Sequence, residues 1–579
     1  MRHHIFRTAP AVALLAAGLA YTAPRLAGQQ SAASGQPSTQ NGEWPAYTAD
    51  LRGSKYSPLS QINASNFNKL EVAWRFKTDY LGTRPEFKLE ATPLMVKGTL
   101  YTTAGTRRDV IALDAKTGEL KWVYSLREGL RAAIAPRQLS GRGVSYWTDG
   151  KGDDRILFVT TGYRLVALNA NTGQPIPGFG DKGIVDLKQG AIQGTGTQID
   201  LEKGEIGLHS TPTVVNDTVI IGSSFKEGFT VVTHNNTKGV VRAFDVRTGK
   251  MIWRFNTIPK PGEFGGDSWE ENSWSFNGNT GVWTQITVDP EAGLVYLPVE
   301  SPTSDLYGGH RPGNNLYGET LVAVDLKTGV RKWHFQFVHH PVWNYDMSSM
   351  PILADINVNG RAIKAVAVPS KEGWMYVFDR ATGEPVWPIV EKPVPQSDVP
   401  GEKTSPTQPF PPDSLLYARN SLKIPDDLVD FTPQLRAQAA DMAQKRFDHE
   451  KSDFFSWLKL WKFFENELEH KKSNRKLREA CQAHFLSHLR LREWRDIHGQ
   501  LMTLCHEHGW KENQIPGSYE AIHKALLSGL LRSQGIQDEI IVAERRPERA
   551  AELVAKYGVK VVENAEAAQL ADTAVVVVK

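Results

Sequence analysis

Asn344 and Asp346 stand two residues apart and offer different chemistry. An amide oxygen can ligate a metal ion but accepts no proton, whereas a carboxylate can act as a base. If the stretch is a strand, both side chains point to the same side, because side-chain direction repeats every two residues. Far downstream, His484 and His488 lie four apart, a spacing that suits a metal on one helix face, but no third ligand is clearly placed beside them. No Gly-x-x-x-x-Gly-Lys-Ser/Thr loop and no Asp-Glu-Ala-His occurs in the chain, so the apparatus for ATP hydrolysis is missing.

The elements that must position such groups differ along the chain. Of 49 glycines, 43 lie in residues 1–410, and none lies between Pro411 and His498. Twelve of the 16 tryptophans also precede residue 410, and both cysteines, Cys481 and Cys505, follow it. A Gly/Trp-rich part predicts short strands joined by tight turns. The glycine-free stretch, rich in Leu, Lys, Arg and Glu, predicts helix. A net charge of +3 on 579 residues gives no overall nucleic-acid signature, and two cysteines exclude a disulfide scaffold.

One pattern recurs in the first 400 residues: an apolar run, Asp or Asn, two residues, then Thr-Gly and usually Trp. It reads Asp114, Gly118, Trp122; Asn169, Gly173; Asp245, Gly249, Trp253; Asp325, Gly329, Trp333; and Asp379, Gly383, Trp387. Leu70-Glu-Val-Ala-Trp74 is a partial copy. The carboxylate or amide caps a turn, the glycine supplies a left-handed φ, and the tryptophan packs between neighbouring units. Copies 54 to 80 residues apart predict four-stranded blades of a β-propeller.

These repeats resemble the tryptophan-docking motif of the eight-bladed quinoprotein dehydrogenases, which use pyrroloquinoline quinone (PQQ). Glu43-Trp-Pro-Ala-Tyr, Ala91-Thr-Pro-Leu, Gly141-Arg-Gly-Val-Ser-Tyr-Trp147, Gly308-Gly-His-Arg-Pro and Ser405-Pro-Thr-Gln-Pro-Phe extend the likeness, which is strongest for the glucose-dehydrogenase-like branch. The resemblance implies oxidation of an alcohol or aldose, with PQQ and calcium (or magnesium) as cofactors and an electron acceptor that the sequence does not name. By position, Arg142 and Lys371 bind PQQ and Trp283 stacks on it. Glu227 and Asn344 approach the metal, and Asn344, Asp346 and Lys371 form the catalytic group. The family's catalytic aspartate falls at Asn344, which makes Asp346 the nearest substitute base. The alcohol-oxidising branch's metal-ligand asparagine falls at Ser301, and its adjacent cysteine pair at Pro136-Arg137. Taken singly, Arg142 reads as an ion-pair partner, Trp283 as core, and Glu227 and Lys371 as solvated loop charges.

The fold class expected is mainly β: an incomplete eight-bladed-type propeller over 43–445, an α-helical segment over 446–532, and a small α/β tail over 533–579. About five to six blade equivalents occur before the pattern stops, which implies truncation and bears on activity. Lys451-Ser-Asp-Phe-Phe-Ser-Trp-Leu and Phe485-Leu-Ser-His-Leu-Arg resemble the helical region that follows the motor of bacterial DEAH-box RNA helicases. Val542-Ala-Glu-Arg-Arg-Pro-Glu-Arg resembles the dinucleotide-binding part of pyrroline-5-carboxylate reductase, without its glycine-rich turn. The chain thus reads as chimeric. The alternative to an enzyme is a non-catalytic propeller-like binding module with a weak RNA-binding helical appendage, although nucleic acid is not an expected partner of the whole. Arg2, Arg7 and the apolar run Ala11 to Ala20 read as a signal peptide over 1–28, followed by a polar linker over 29–42. That implies a periplasmic protein with no membrane span after cleavage, whereas the two C-terminal pieces look cytoplasmic.

Overall fold

A computed structural model describes residues 36–82, 86–226, 234–419, 426–450, 541–543, 555 and 560–562. The leader, Glu227, the stretch resembling helicases beyond residue 450 and most of the tail lie outside them.

Four antiparallel four-stranded sheets follow one another, each built in sequence order. Blade 1 is Leu94–Val96, Thr99–Ala104, Asp109–Asp114 and Leu120–Tyr124; blade 2 is Ser145–Thr148, Asp154–Val159, Arg164–Asn169 and Ile184–Asp186. Blade 3 is Thr213–Val215, Thr218–Ile221, Val240–Asp245 and Met251–Asn256; blade 4 is Thr287–Asp289, Leu294–Val299, Thr320–Asp325 and Arg331–Gln336. Blade 5 has three strands, Ile352–Val358, Arg361–Pro369 and Met375–Asp379.

The recurring motif folds as its residues dictate. Asp114 Oδ1 accepts the backbone N–H groups of Lys116 and Thr117, both at 3.0 Å, and Asp245, Asp325 and Asp379 do the same in their own turns. The closing glycines are left-handed, with φ of 74° at Gly118 and 69° at Gly329. Each docking tryptophan then lies on the next blade's glycine. A Cβ on Gly173, Gly329 or Gly383 would strike the indole of Trp122, Trp253 or Trp333 at 2.6–2.7 Å. The indole N–H donates to the carbonyl just after the capping Asp or Asn: Ala170 (3.0 Å), Leu326 (2.8 Å) and Arg380 (3.2 Å). Asn169's copy carries no tryptophan, and Gly249 packs on Val185 and Phe179 instead.

The core lies between blades. Alternate residues of one strand serve opposite neighbours. In blade 4, Leu294 and Tyr296 face blade 5, while Val295, Leu297 and Val299 face blade 3. This explains why a strand such as Leu294–Val299 is apolar throughout and buried throughout.

One expectation is corrected. Blade 5 is not four-stranded among the described residues. Past Gly383 the chain makes one isolated bridge, Phe378 to Pro385, and a bond from the Val386 N–H to the Val377 carbonyl at 2.9 Å, then leaves for a separate hairpin, Val390–Pro393 with Thr407–Phe410. Trp387 accordingly packs on its own blade beside Ile363, Ala365 and Val377. The helix Pro433–Glu450 spans residues 445–446. In the tail, Ile541–Ala543 and Lys560–Val562 pair in parallel, as strand–crossover–strand requires. No described helix is long and apolar enough to cross a membrane.

Candidate functional site

Chain geometry gathers the candidate residues at one end of the blades. In an antiparallel pair, the entry to the first strand lies beside the exit of the second, as in Thr287↔Tyr296 and Ile352↔Ala367. Arg142, His209, Trp283 and Asp346 precede the first strands of blades 2, 3, 4 and 5, in that order. Ser224, Glu300, Ser301 and Lys371 follow the second strands of blades 3, 4 and 5.

The structure brings Lys371, Asn344 and Asp346 together. The Lys371 ammonium donates to Asn344 Oδ1 at 2.8 Å, to the Asn344 carbonyl at 2.9 Å and to Asp346 Oδ2 at 3.2 Å. Asn344 Nδ2 donates to Asp305 Oδ2 at 3.0 Å, which fixes the amide's orientation. Asp346 Oδ1 accepts the Ser301 N–H at 2.8 Å. The expected strand is not there: 341–351 forms no strand, and Asn344 sits in the left-handed region at φ 55°. The two side chains converge because both answer to one ammonium, not because of a strand period.

Arg142 and Trp283 form a second group. The guanidinium carbon lies 5.3 Å from the indole centroid, a cation–π arrangement. His209 stacks on the same indole with centroids 5.7 Å apart, and its backbone carbonyl accepts the Arg142 N–H at 2.8 Å. Burial and the neighbouring cation Arg142 hold the His209 imidazole neutral, well below its ordinary range. Its Nδ1 is buried without a partner.

Glu300 joins the two groups. Its Oε1 accepts the Gly281 N–H at 2.8 Å, two residues before Trp283. Burial, followed by the negative charge of Asp346, pushes its carboxyl well above the usual range. Glu319 is likewise raised by burial and accepts from Ser301 Oγ at 2.6 Å. Beside Lys371, burial lifts Glu372 to about 7. Reading the sequence missed His209, Glu300, Glu319 and Glu372, because none belongs to a motif. The usable signal was position: Glu300 stands directly after a second strand, and His209 four residues before a first.

A half-buried indole with the Arg142 cation beside it, and a second cation, Lys371, at the same end of the blades, suit a flat, aromatic, polyanionic ligand. The family described as PQQ glucose/ethanol/alcohol dehydrogenase, β-propeller domain, matches residues 44–455. The chain belongs to this family. It is 34% identical over 384 residues to the quinoprotein glucose dehydrogenase of Escherichia coli (strain K12), covering 64% of this chain and 46% of that relative. It is 33% identical over 399 residues to the glycerol dehydrogenase large subunit of Gluconobacter oxydans (strain 621H), covering 67% and 51%. The solved quinohemoprotein alcohol dehydrogenase ADHIIG of Pseudomonas putida HK5 superposes with a TM-score of 0.50 at 29% identity, covering 65% of this chain and 51% of that one. The chain thus spans about half the length of the curated relatives it matches. A second family, NADP oxidoreductase coenzyme F420-dependent, matches residues 521–579, beginning before the boundary expected at 533 and consistent with a chimeric chain.

The donor set fits PQQ: Arg142 and Lys371 supply positive charge, Trp283 an aromatic face, and His209 an unpaired buried nitrogen. The metal half is different. Glu227 lies outside the described residues, Asn344 Oδ1 takes the Lys371 ammonium, and among the described residues no three His, Cys, Asp or Glu side chains are grouped to hold a metal.

Proposed function

We propose that this chain binds PQQ between its Arg142–Trp283 and Lys371 groups and oxidises the hydroxyl-bearing carbon of an alcohol or aldose. The observation that carries the reading is the convergence of Lys371 on Asn344 and Asp346, at the same end of a family-matched propeller as Trp283. Arg142 and Lys371 anchor carboxylate and carbonyl oxygens, and Trp283 supports the ring plane. Bound PQQ supplies the acceptor for the substrate's hydride.

The substrate hydroxyl proton goes to Asp346, since Asn344 has no basic atom. The Lys371 ammonium and the Ser301 N–H hold that carboxylate in place by hydrogen bonding to both oxygens. Asn344, tied to Asp305 and Lys371, positions rather than transfers a proton. Glu227 and Asn344 Oδ1 would hold calcium, Asn344 through the oxygen that also accepts from the Lys371 ammonium. Export to the periplasm, implied by the leader, belongs to the same reading, as does the division into a propeller over 43–445 and two foreign C-terminal pieces.

The test is PQQ titration with and without calcium, followed by tryptophan fluorescence and then by dye reduction with glucose, glycerol and ethanol. Quenching that is lost in Trp283→Phe, with turnover reduced about 100-fold or more in Asp346→Asn, supports the reading. No quenching at any PQQ and calcium concentration sinks it, and quenching without turnover leaves a PQQ-binding module whose catalytic part is incomplete.

A further inference from the structure

Lys238 is a buried cation that the quinone site does not use. It stands two residues before the third strand of blade 3 and is 6% exposed. Its ammonium donates to the Trp274 carbonyl, and to the Asn277 carbonyl at 2.7 Å. An ammonium carries three donors, so one is left over. Among the described residues no carboxylate pairs with it, and the charge that acts on it is another cation, Lys260. Burial, followed by that repulsion, lowers Lys238 to about 7. Buried charges in proteins are ordinarily paired, because an unpaired one loses its hydration for nothing in return.

A hollow adjoins this ammonium. Its wall includes Ile192, Lys238, Asn256, Ile258, Lys260 and Trp274, and it contains no acidic side chain. The room inside is about 10 Å³, roughly that of one water molecule. The indole N–H of Trp274, a donor only, is buried without a partner. Three segments meet here. Ile192 belongs to the small hairpin Ile192–Gln193 with Thr197–Gln198, and its carbonyl accepts the Lys238 N–H at 2.9 Å. Asn256 ends blade 3, and Trp274 lies in the 3-10 turn Glu270–Ser275.

We propose that this hollow binds one small monovalent anion of chloride size. The anion accepts the third Lys238 donor and the Trp274 indole N–H, and its charge offsets the two ammonium groups. Sulfate and phosphate exceed the room. The bound anion ties the hairpin and the end of blade 3 to residues 274–277, the stretch that runs on to Trp283. Asn277 extends the tie, since its Nδ2 donates to the Thr303 carbonyl at 2.5 Å. The inference does not rest on the quinone reading.

The test titrates the full chain with sodium chloride against sodium gluconate at constant ionic strength, so that general screening is the same in both. Chloride raises Tm and the rise saturates, as expected for a ligand that binds only the folded chain. The chloride NMR line broadens when the protein is added. Trp274→Phe keeps a ring and removes the donor, and it raises the half-saturating chloride concentration about threefold or more. Lys260→Gln changes an exposed cation and raises it by a similar factor. Lys238→Met abolishes the response, and if that variant does not fold, the other two decide. A Tm response that never saturates and is equal in all variants overturns the proposal, because it assigns the effect to ions on the general surface. No response and no line broadening also overturn it, because the hollow then holds water alone.

Discussion

The interface between blades 2 and 3 and the two outermost blade faces are made of the same residue types, but they are not equally built. Between blades 2 and 3, eighteen buried apolar residues form one cluster. The outer face of blade 1 has four and the far face of blade 5 has three. In a stacked array each unit is stabilised by its neighbours, so the end units are held from one side only. The site straddles this gradient. Arg142, His209 and Trp283 enter blades 2, 3 and 4, which are packed on both faces, whereas Asn344, Asp346 and Lys371 belong to blade 5, which is packed on one. The half of the site around Trp283 is therefore stiff, and the half around Lys371 is the more easily disturbed.

The largest expected effect compares tryptophans with the same role. Trp253, 5% exposed, lies between blades 3 and 4. Trp253→Ala is expected to cost about 3–5 kcal/mol, against roughly 1–2 kcal/mol for Trp74→Ala at the open face. Urea denaturation of both variants measures the difference, and equal costs would erase the distinction between inner and outer faces. Next come the glycines. Gly329 and Gly98 are both left-handed, but only Gly329 has an indole where a Cβ would go. Gly98→Ala is expected to cost the backbone strain alone, about 1 kcal/mol. Gly329→Ala is expected to cost at least twice as much, because Trp253 must also shift.

The smallest effect is a pH dependence in blade 5. Burial raises Glu372 to about 7, so the folded chain holds a neutral acid that the unfolded chain ionises. Its contribution is present below the ordinary glutamate range and is lost as pH rises toward about 7. Glu372→Gln should flatten the decline in Tm between pH 5 and 7.5. His209 has the opposite sign: it is neutral when folded, and its contribution fades as pH falls below the ordinary histidine value. A Tm profile that Glu372→Gln leaves unchanged would show that the acid titrates as though it were exposed.

The blade motif was legible because its chemistry is local. An aspartate capping a turn and a glycine with positive φ act within five residues of chain, and all the copies read in the sequence fold that way. Ring-binding candidates were legible through family likeness, and Arg142 does meet Trp283. The failures share one cause. Trp387 was assigned a docking role by its spacing, but among the described residues it packs on its own blade, beside Ile363, Ala365 and Val377. Asn344 and Asp346 were expected to align by strand period, whereas a left-handed turn and one ammonium bring them together. The raised carboxyls of Glu300 and Glu319 gave no sign in the sequence beyond Glu300's position after a second strand, since burial comes only when other blades close over them.

The order of residues alone determined the blade unit, its turn chemistry and the face each alternate side chain takes, because these depend on neighbours a few positions away. Which side chains meet at the blade ends, which carboxyls lose their charge and which strand lacks a partner were decided only by the packed sheets. Burial and charge proximity arise between segments tens to hundreds of residues apart, and no local pattern encodes them.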